Sequence, residues 1–318
     1  MNNTSIQKYK DFCHINEDQI PIFFQPYWLD ILCHRGQWNV ILNFSTKDTI
    51  NGILVYYTTK KYGQSIITNP PLTPHTGIIL LENNELQDST KIIENLISKL
   101  PKITYFTQSC LPDYNQWLPI FWQGFNQTSR ITYTIENIKQ WHQNMCSSQT
   151  QRKLNKGKTL FIFKESENIK DIYHFSEKLW LSKNIDPPIE EKQFIQLDKQ
   201  LALKNKRKLL VALDYNNVVQ SAVYLVFDQN IAYSLLIGSD PFNRNNYGAV
   251  HYLLAQAIKF SSQYVDNFDF EGSMIKGLAH LYSSFGARPK HYHRIYKAKN
   301  IFWDIAYRIK SYYDKSNR

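Results

Sequence analysis

Apolar and polar positions alternate most clearly between residues 231 and 286. Ile231–Gly238 (IAYSLLIG) is a short apolar run with a β-branched and aromatic bias. It is closed by Gly238 and the turn residues Ser239, Asp240 and Pro241, and it predicts a buried strand. After a polar loop over 242–248, Val250, Leu253, Leu254, Ala257 and Ile258 recur at helical spacing. In Asn267–Gly272 (NFDFEG), Phe268 and Phe270 alternate with Asp269 and Glu271, which predicts a second strand with both carboxylates on one face. The segment 277–286 predicts a short helix, with Gly286 placed to cap its end and Pro289 beyond it. Strands joined by a helical crossover lie parallel, and ligands of such sheets sit beyond the strands' carboxyl ends. The loop over 239–248 and the carboxylates at 269 and 271 are expected to open there.

Upstream, 25–32 predicts a helix with Pro26 in its first turn and Trp28, Ile31 and Leu32 as its apolar stripe. Strands over 38–44, 50–58, 65–68 and 77–81, separated by polar turns and the Pro-rich loop 69–77, predict an antiparallel meander. A helix over 89–100 then stops at Pro101, and 102–108 and 130–135 return to strand. From 136 to 158 the pattern turns polar and charged, so a domain boundary is expected between about 140 and 150, giving parts 1–145 and 146–318. In the second part a strand over 159–163, helices over 168–183 and 189–206, and strands over 208–213 and 217–227 lead into the 231–286 unit. A strand over 290–298 and an amphipathic helix over 301–313 finish the chain. Each part sets several strands before a helix and a further strand, which suggests a diverged duplication.

Composition narrows the reading. At 318 residues the chain is long for one core, and 43% hydrophobic with 14% aromatic content supplies two cores, which argues against disorder. A net charge of +10 suits an anionic partner: a nucleic acid, an anionic lipid surface or a phosphorylated small molecule. Lysine-rich surfaces produce the same balance, so the charge names no single partner. Cys13, Cys33, Cys110 and Cys146 form no C-x-x-C pair, which favours a reducing compartment. The first residues lack an apolar signal core and no apolar stretch reaches the ~20 residues that span a bilayer. A cytoplasmic location is expected, with contact to the inner membrane face left open.

Three places carry candidate chemistry. The loop 244–250 leads into a helix start, where free backbone N–H groups attract phosphate; Gly248 and Ala249 let a ligand approach, and Arg244, Asn245 and Asn246 line the way. An ordinary connecting turn has the same composition. Asp269 and Glu271 can accept a proton from an amine, although a solvated strand face reads identically. The phenol of Tyr282 can protonate a leaving group, or its ring can simply pack. The basic runs 152–158 and 204–208 suit phosphates but lack aromatic interleaving. Cys13 with His14, Cys33 with His34, and His291 with His293 fit no zinc spacing, so no metal is expected; His75 has no assigned role. No G-x-S-x-G elbow, Walker loop or G-x-G-x-x-G fingerprint occurs.

The order of elements in the second part resembles the GNAT acyltransferase fold. The stretch 244–250 falls where that superfamily has its pyrophosphate loop, and 282–287 (YSSFGA) looks like its Y-x-x-x-G-F segment. The stretches 268–273 (FDFEGS), 69–77 (NPPLTPHTG) and 151–156 (QRKLNK) resemble the FemAB-like branch, in which two GNAT-like domains stand in tandem. The fold class implied is α/β with a mixed sheet, in two tandem GNAT-like acyltransferase domains. The resemblance implies an N-acyltransferase that uses acyl-CoA or aminoacyl-tRNA as donor and an amine as acceptor, on the Fem pattern an amine of a cell-envelope precursor. In that scheme Glu271 or Asp269 is the base, backbone N–H groups near Ile237, Gly238 and Ser239 hold the oxyanion, and Tyr282 is the acid. The loop departs from the family's Q or R-x-x-G-x-G or A pattern at Asn245 and Val250. A non-catalytic module of the same fold, binding RNA or an anionic precursor, is the alternative.

Overall fold

Hydrophobic spacing did not announce the first element, a helix α1 (Asn2–Ile15) that buries Tyr9 and Cys13. The computed structural model describes residues 2–61, 63–81, 86–243, 247–272 and 274–305. Next come α2 (Pro26–Leu32), β1 (Gly36–Phe44), β2 (Ile50–Lys61), β3 (Gln64–Thr68), β4 (Gly77–Leu80), α3 (Leu86–Ser98), β5 (Tyr105–Ser109), α4 (Leu118–Trp122) and β6 (Asn126–Ile135). Then follow α5 (Ser148–Leu160), β7 (Ile162–Ser166), α6 (Lys170–Ser182), α7 (Glu191–Leu203), β8 (Arg207–Leu213), β9 (Val219–Asp228), β10 (Ile231–Gly238), α8 (Ala249–Ser261), β11 (Asn267–Gly272), α9 (Lys276–Ser283) and β12 (Arg288–Ala298). Residues 301–305 are helical; the rest of the expected tail helix lies outside the described residues.

By contact the chain forms two compact units, one of residues 1–130 with 291–318 and the other of residues 131–290. The expected division at 145/146 is a cut along the chain, whereas this grouping brings the C-terminal strand back to the first unit. There β1, β2 and β3 form an antiparallel meander, but β4, expected to continue it, turns back to pair with β2, while β3 pairs with β5 in parallel and β5 pairs with β12. Ile92, Ile93, Leu96 and Ile97 of α3 pack on Leu54, Ile67 and Phe106, as their i, i+4 spacing dictates.

In the second unit the strand order is β6-β11-β10-β9-β8-β7, with β10 and β11 parallel as expected. Residues 159 and 160, expected in a strand, are the last turn of α5, and the strand itself runs over 162–166. That helix is polar on most of its surface and buries only Thr150, Leu154 and Gly157, so its amphipathic signal is weak; Ser147 caps it by accepting from the Thr150 N–H. α8 is apolar nearly all round and sinks into the core with Phe268, Phe270 and Phe285. α5 crosses it closely: a Cβ at Gly157 would stand 2.6 Å from the Tyr252 Cβ.

The four cysteines are free and buried. Burial, the leading cause at each, pushes Cys13 and Cys110 up to about 12 and Cys146 up to about 11, and raises Cys33 further still. No described helix is long and apolar enough to cross a membrane.

Candidate active site

β10 and β11 pair only at their beginnings, Ile231 with Asn267, Ala232 with Phe268 and Tyr233 with Asp269. Past this point both strands slip register against their other neighbours, β10 against β9 between Ser234 and Leu236, and β11 against β6 between Asp269 and Gly272. In β11 two residues, Phe270 and Glu271, therefore stand against the single Tyr133, which is a β-bulge. The bulge sets Glu271 at φ +63°, a left-handed state that costs a residue with a Cβ on the order of 1 kcal/mol.

Asp269 holds this turn. Its Oδ1 accepts from the Glu271 backbone N–H at 2.7 Å and from the Thr132 hydroxyl at 2.5 Å. The residue is 1% exposed, and burial pushes its carboxyl up to about 6, against the pull of those two donors and of Lys290. Glu271 as a whole is part-buried, but its Oε1 is out of solvent and meets no hydrogen-bond partner among the described residues. Burial first, and then the charge of Asp269, raise it well above the ordinary carboxylate range. Asp269, with two donors, ionises first, and over the interval between the two ionisations the pair holds one proton. The solvated strand face is thus ruled out: both carboxyl groups point into the fold.

Tyr282 is the last residue but one of α9. Its ring stacks on Phe270 at 4.8 Å and lies 5.9 Å from Tyr133. Burial, followed by the charges of Glu271 and Asp269, raises its phenol, which stays protonated through neutral pH. A buried proton donor and a buried proton acceptor thus influence one another at the point where β10 and β11 part.

On the donor side, Ile237 and Gly238 still pair with Val223 and Ala222, and the Gly238 carbonyl accepts from the Ser221 hydroxyl at 2.9 Å. Ser239 follows. Asp240 fixes the turn beyond by pairing with Lys178 at 2.6 Å and accepting from the Phe242 N–H. Arg244, Asn245 and Asn246 lie outside the described residues. Gly248 is the N-cap of α8 at φ +83°, a conformation that glycine adopts freely, and Ala249 behind it is buried. Sequence reasoning missed Thr132 and Lys290, because a threonine in one strand and a lysine in another carry no signal of which carboxyl they serve. It also missed His251, one turn into α8, whose Nε2 lies 3.2 Å from the Lys153 Nζ.

The Pro-rich loop 69–77 is a closed structure in the first unit. Asn69 donates to the carbonyls of Thr73 and Pro74 and accepts from the Ser109 N–H, while Trp28 donates to the Thr73 hydroxyl. The His75 Nδ1 lies 2.8 Å from the Cys110 carbonyl oxygen, and burial holds its ring at about 4. Among the described residues no group of three or more His, Cys, Asp or Glu could hold a metal ion.

With the geometry described, known structures can be compared. The structure of FemX matches with a TM-score of 0.63 at 12% identity, over 91% of this chain and 95% of that one. A C-terminal domain named as that of a lysylphosphatidylglycerol synthetase from Agrobacterium fabrum matches with a TM-score of 0.55 at 10% identity, over 93% of each chain. The GCN5-related glucosamine N-acetyltransferase region of a fungal multi-domain β-N-acetylglucosaminidase matches with a TM-score of 0.50 at 14% identity, over 91% of this chain and 37% of that one. No protein-family model and no curated protein matches the sequence. The fold is mixed α/β, two GNAT-like domains in tandem, and is similar to the FemAB-like branch.

Proposed function

We propose that this chain is an N-acyltransferase whose centre is the carboxyl pair Asp269 and Glu271 with Tyr282. The observation that carries the reading is the unpartnered, buried Oε1 of Glu271 on a strained bulge, beside a phenol that keeps its proton. Structural carboxylates are normally satisfied, and an unsatisfied one at a strand split is what a proton acceptor for an incoming group requires. An acceptor amine enters as an ammonium and gives a proton to ionised Glu271, while Asp269 holds the bulge. The freed nitrogen attacks the acyl carbonyl and backbone N–H groups near Ile237 to Ser239 take up the developing negative charge; as the bond to the departing group breaks, Tyr282 gives that group its proton and its phenolate takes the second proton from the new amide nitrogen. Holding both reactants in one crevice supplies further rate.

The donor on this reading is an acyl-CoA or an aminoacyl-tRNA, bound from the loop over 244–249, and the acceptor is an amine, on the Fem pattern that of a cell-envelope precursor handled at the inner membrane face. Similarity to FemX and to a lysylphosphatidylglycerol synthetase domain supports acyl transfer, and the +10 charge suits either phosphate-rich donor. The test is a single-turnover screen of acetyl-CoA, longer acyl-CoA species and aminoacyl-tRNA with an amine acceptor, run beside the folded Glu271→Gln, Asp269→Asn double variant. Transfer by the native protein and its loss in the variant is the expected result. Equal transfer in both overturns the base assignment; ligand binding without transfer from any donor establishes the non-catalytic module instead.

A further inference from the structure

Large apolar side chains of the first unit stand in solvent at two places. Leu118, Phe121 and Trp122 do so on α4, whose Pro119 and Ile120 are rooted in the core. Ile301, Phe302 and Ile305 do so on the helical turn after β12; Trp122 is 60% exposed and Ile301 76%. Lys297 ties the two places together. Its Nζ donates to the carbonyl of Gln123, the neighbour of Trp122, at 2.7 Å, and lies 4.7 Å from the centre of the Phe125 ring, and Ile301 follows shortly along the chain. Cations border the group. The Lys299 N–H donates to the Thr104 carbonyl, which sets Lys299 near the exposed Lys102, and Lys99 is exposed just after α3. None of these lysines pairs with a carboxylate among the described residues, whereas Lys10 of the same unit holds Asp30. Asp304, half-buried, is the one carboxylate on the turn. Past Ile305 the sequence continues with Arg308, Lys310, Lys315 and Arg318 against Asp314.

Apolar side chains grouped in water call for a partner, and the flanking charge selects which. A second copy of the chain would set lysines against lysines, which repel. A nucleic acid would meet the lysines but leave Leu118, Ile301 and Ile305 without an apolar counterpart. An anionic bilayer answers both needs: aromatic and aliphatic side chains enter the boundary between headgroups and acyl chains, while the lysines meet lipid phosphates. We infer that α4 and the 301–305 turn form a face that docks the first unit on an anionic lipid membrane. The face uses none of the reacting groups of the second unit, so it stands or falls apart from the acyl-transfer reading.

Flotation of the full chain with vesicles of equimolar phosphatidylglycerol and phosphatidylethanolamine, beside vesicles of phosphatidylcholine alone, tests it. The native chain is expected to bind the anionic vesicles about tenfold or more tightly than the neutral ones. A Trp122→Ala, Phe302→Ala variant should bind the anionic vesicles about tenfold more weakly or worse. A Lys102→Gln, Lys299→Gln variant should also lose about tenfold, and its residual binding should respond less to salt. Leu203→Ala, which removes a 78% exposed leucine of the second unit, should change nothing, and Glu271→Gln should dock as the native chain does. All the surface variants should melt with the native chain, because each replaced side chain is exposed. Absence of native binding, equal binding to both kinds of vesicle, or an equal loss in Leu203→Ala overturns the face. So does binding that falls with the lysines but not with Trp122 and Phe302, which is charge adsorption of the kind a nucleic acid would also give. Self-association of the native chain in sedimentation velocity, abolished by Trp122→Ala, Phe302→Ala, would assign the face to a second copy instead.

Discussion

The loop 69–77 and the bulge at Asp269–Gly272 each put an ionisable side chain out of water, and they treat it in opposite ways. In the loop every polar side chain that closes the turn has a partner: Asn69 makes three hydrogen bonds, Thr73 receives one from Trp28, and His75 meets the Cys110 carbonyl. In the bulge Asp269 is satisfied, but Glu271 has a buried oxygen without a partner and a left-handed backbone. Satisfied burial rigidifies a fold; unsatisfied burial costs free energy that folding alone does not require. The contacts thus set a fully satisfied turn against a turn that leaves one buried oxygen open.

The largest effect that would sharpen this contrast is on rate. Glu271→Gln should lower turnover about 10²- to 10⁴-fold with the circular dichroism spectrum unchanged. Asn69→Ala in the loop should instead cost about 2 kcal/mol of stability in urea unfolding and leave the rate per folded molecule near native. If Asn69→Ala mainly lowers turnover, or Glu271→Gln mainly unfolds the protein, the contrast fails.

Stability against pH separates them again. A carboxyl raised in the folded state keeps a proton that the unfolded chain has lost, so its penalty grows as pH rises above the ordinary Glu value. Glu271→Gln should therefore melt higher than native at pH 8, with the difference gone below about pH 4. His75 is lowered to about 4, so protons bind the unfolded chain first and the native state weakens as pH falls from about 6.5 towards 4. His75→Phe should flatten that acid limb and leave the alkaline one unchanged.

The smallest expected effect is a shift of profile. Asp269→Asn retains an oxygen for Thr132 and Glu271 and removes the negative charge that helps to raise Glu271, so the rise of rate with pH should move to lower pH. A profile that stays in place would show that burial alone sets the Glu271 proton.

Much of the fold was legible because strands β8, β9 and β10 are continuous apolar runs and α3 and α8 keep helical spacing, so periodicity alone locates them. The misses have physical causes. α5 buries three residues among thirteen, and a helix so polar reads as a charged linker. The alternation in NFDFEG correctly predicts a strand, but a bulge adds one residue without altering the sequence pattern, so neither the left-handed Glu271 nor its empty oxygen could be seen there. The carboxyls were legible as candidates; their burial depends on Thr132 and Tyr133, which are far away along the chain, and on the nearer Tyr282.

The buried cysteines have a practical consequence. With all four thiols inside the protein and resistant to ionisation, a maleimide dye meets no native thiolate at the surface. A single Tyr247→Cys substitution, at a 55% exposed position just before α8, would accept the label alone. The untouched native cysteines turn the molecule into a ready-made fluorescent reporter of whatever enters beside that dye.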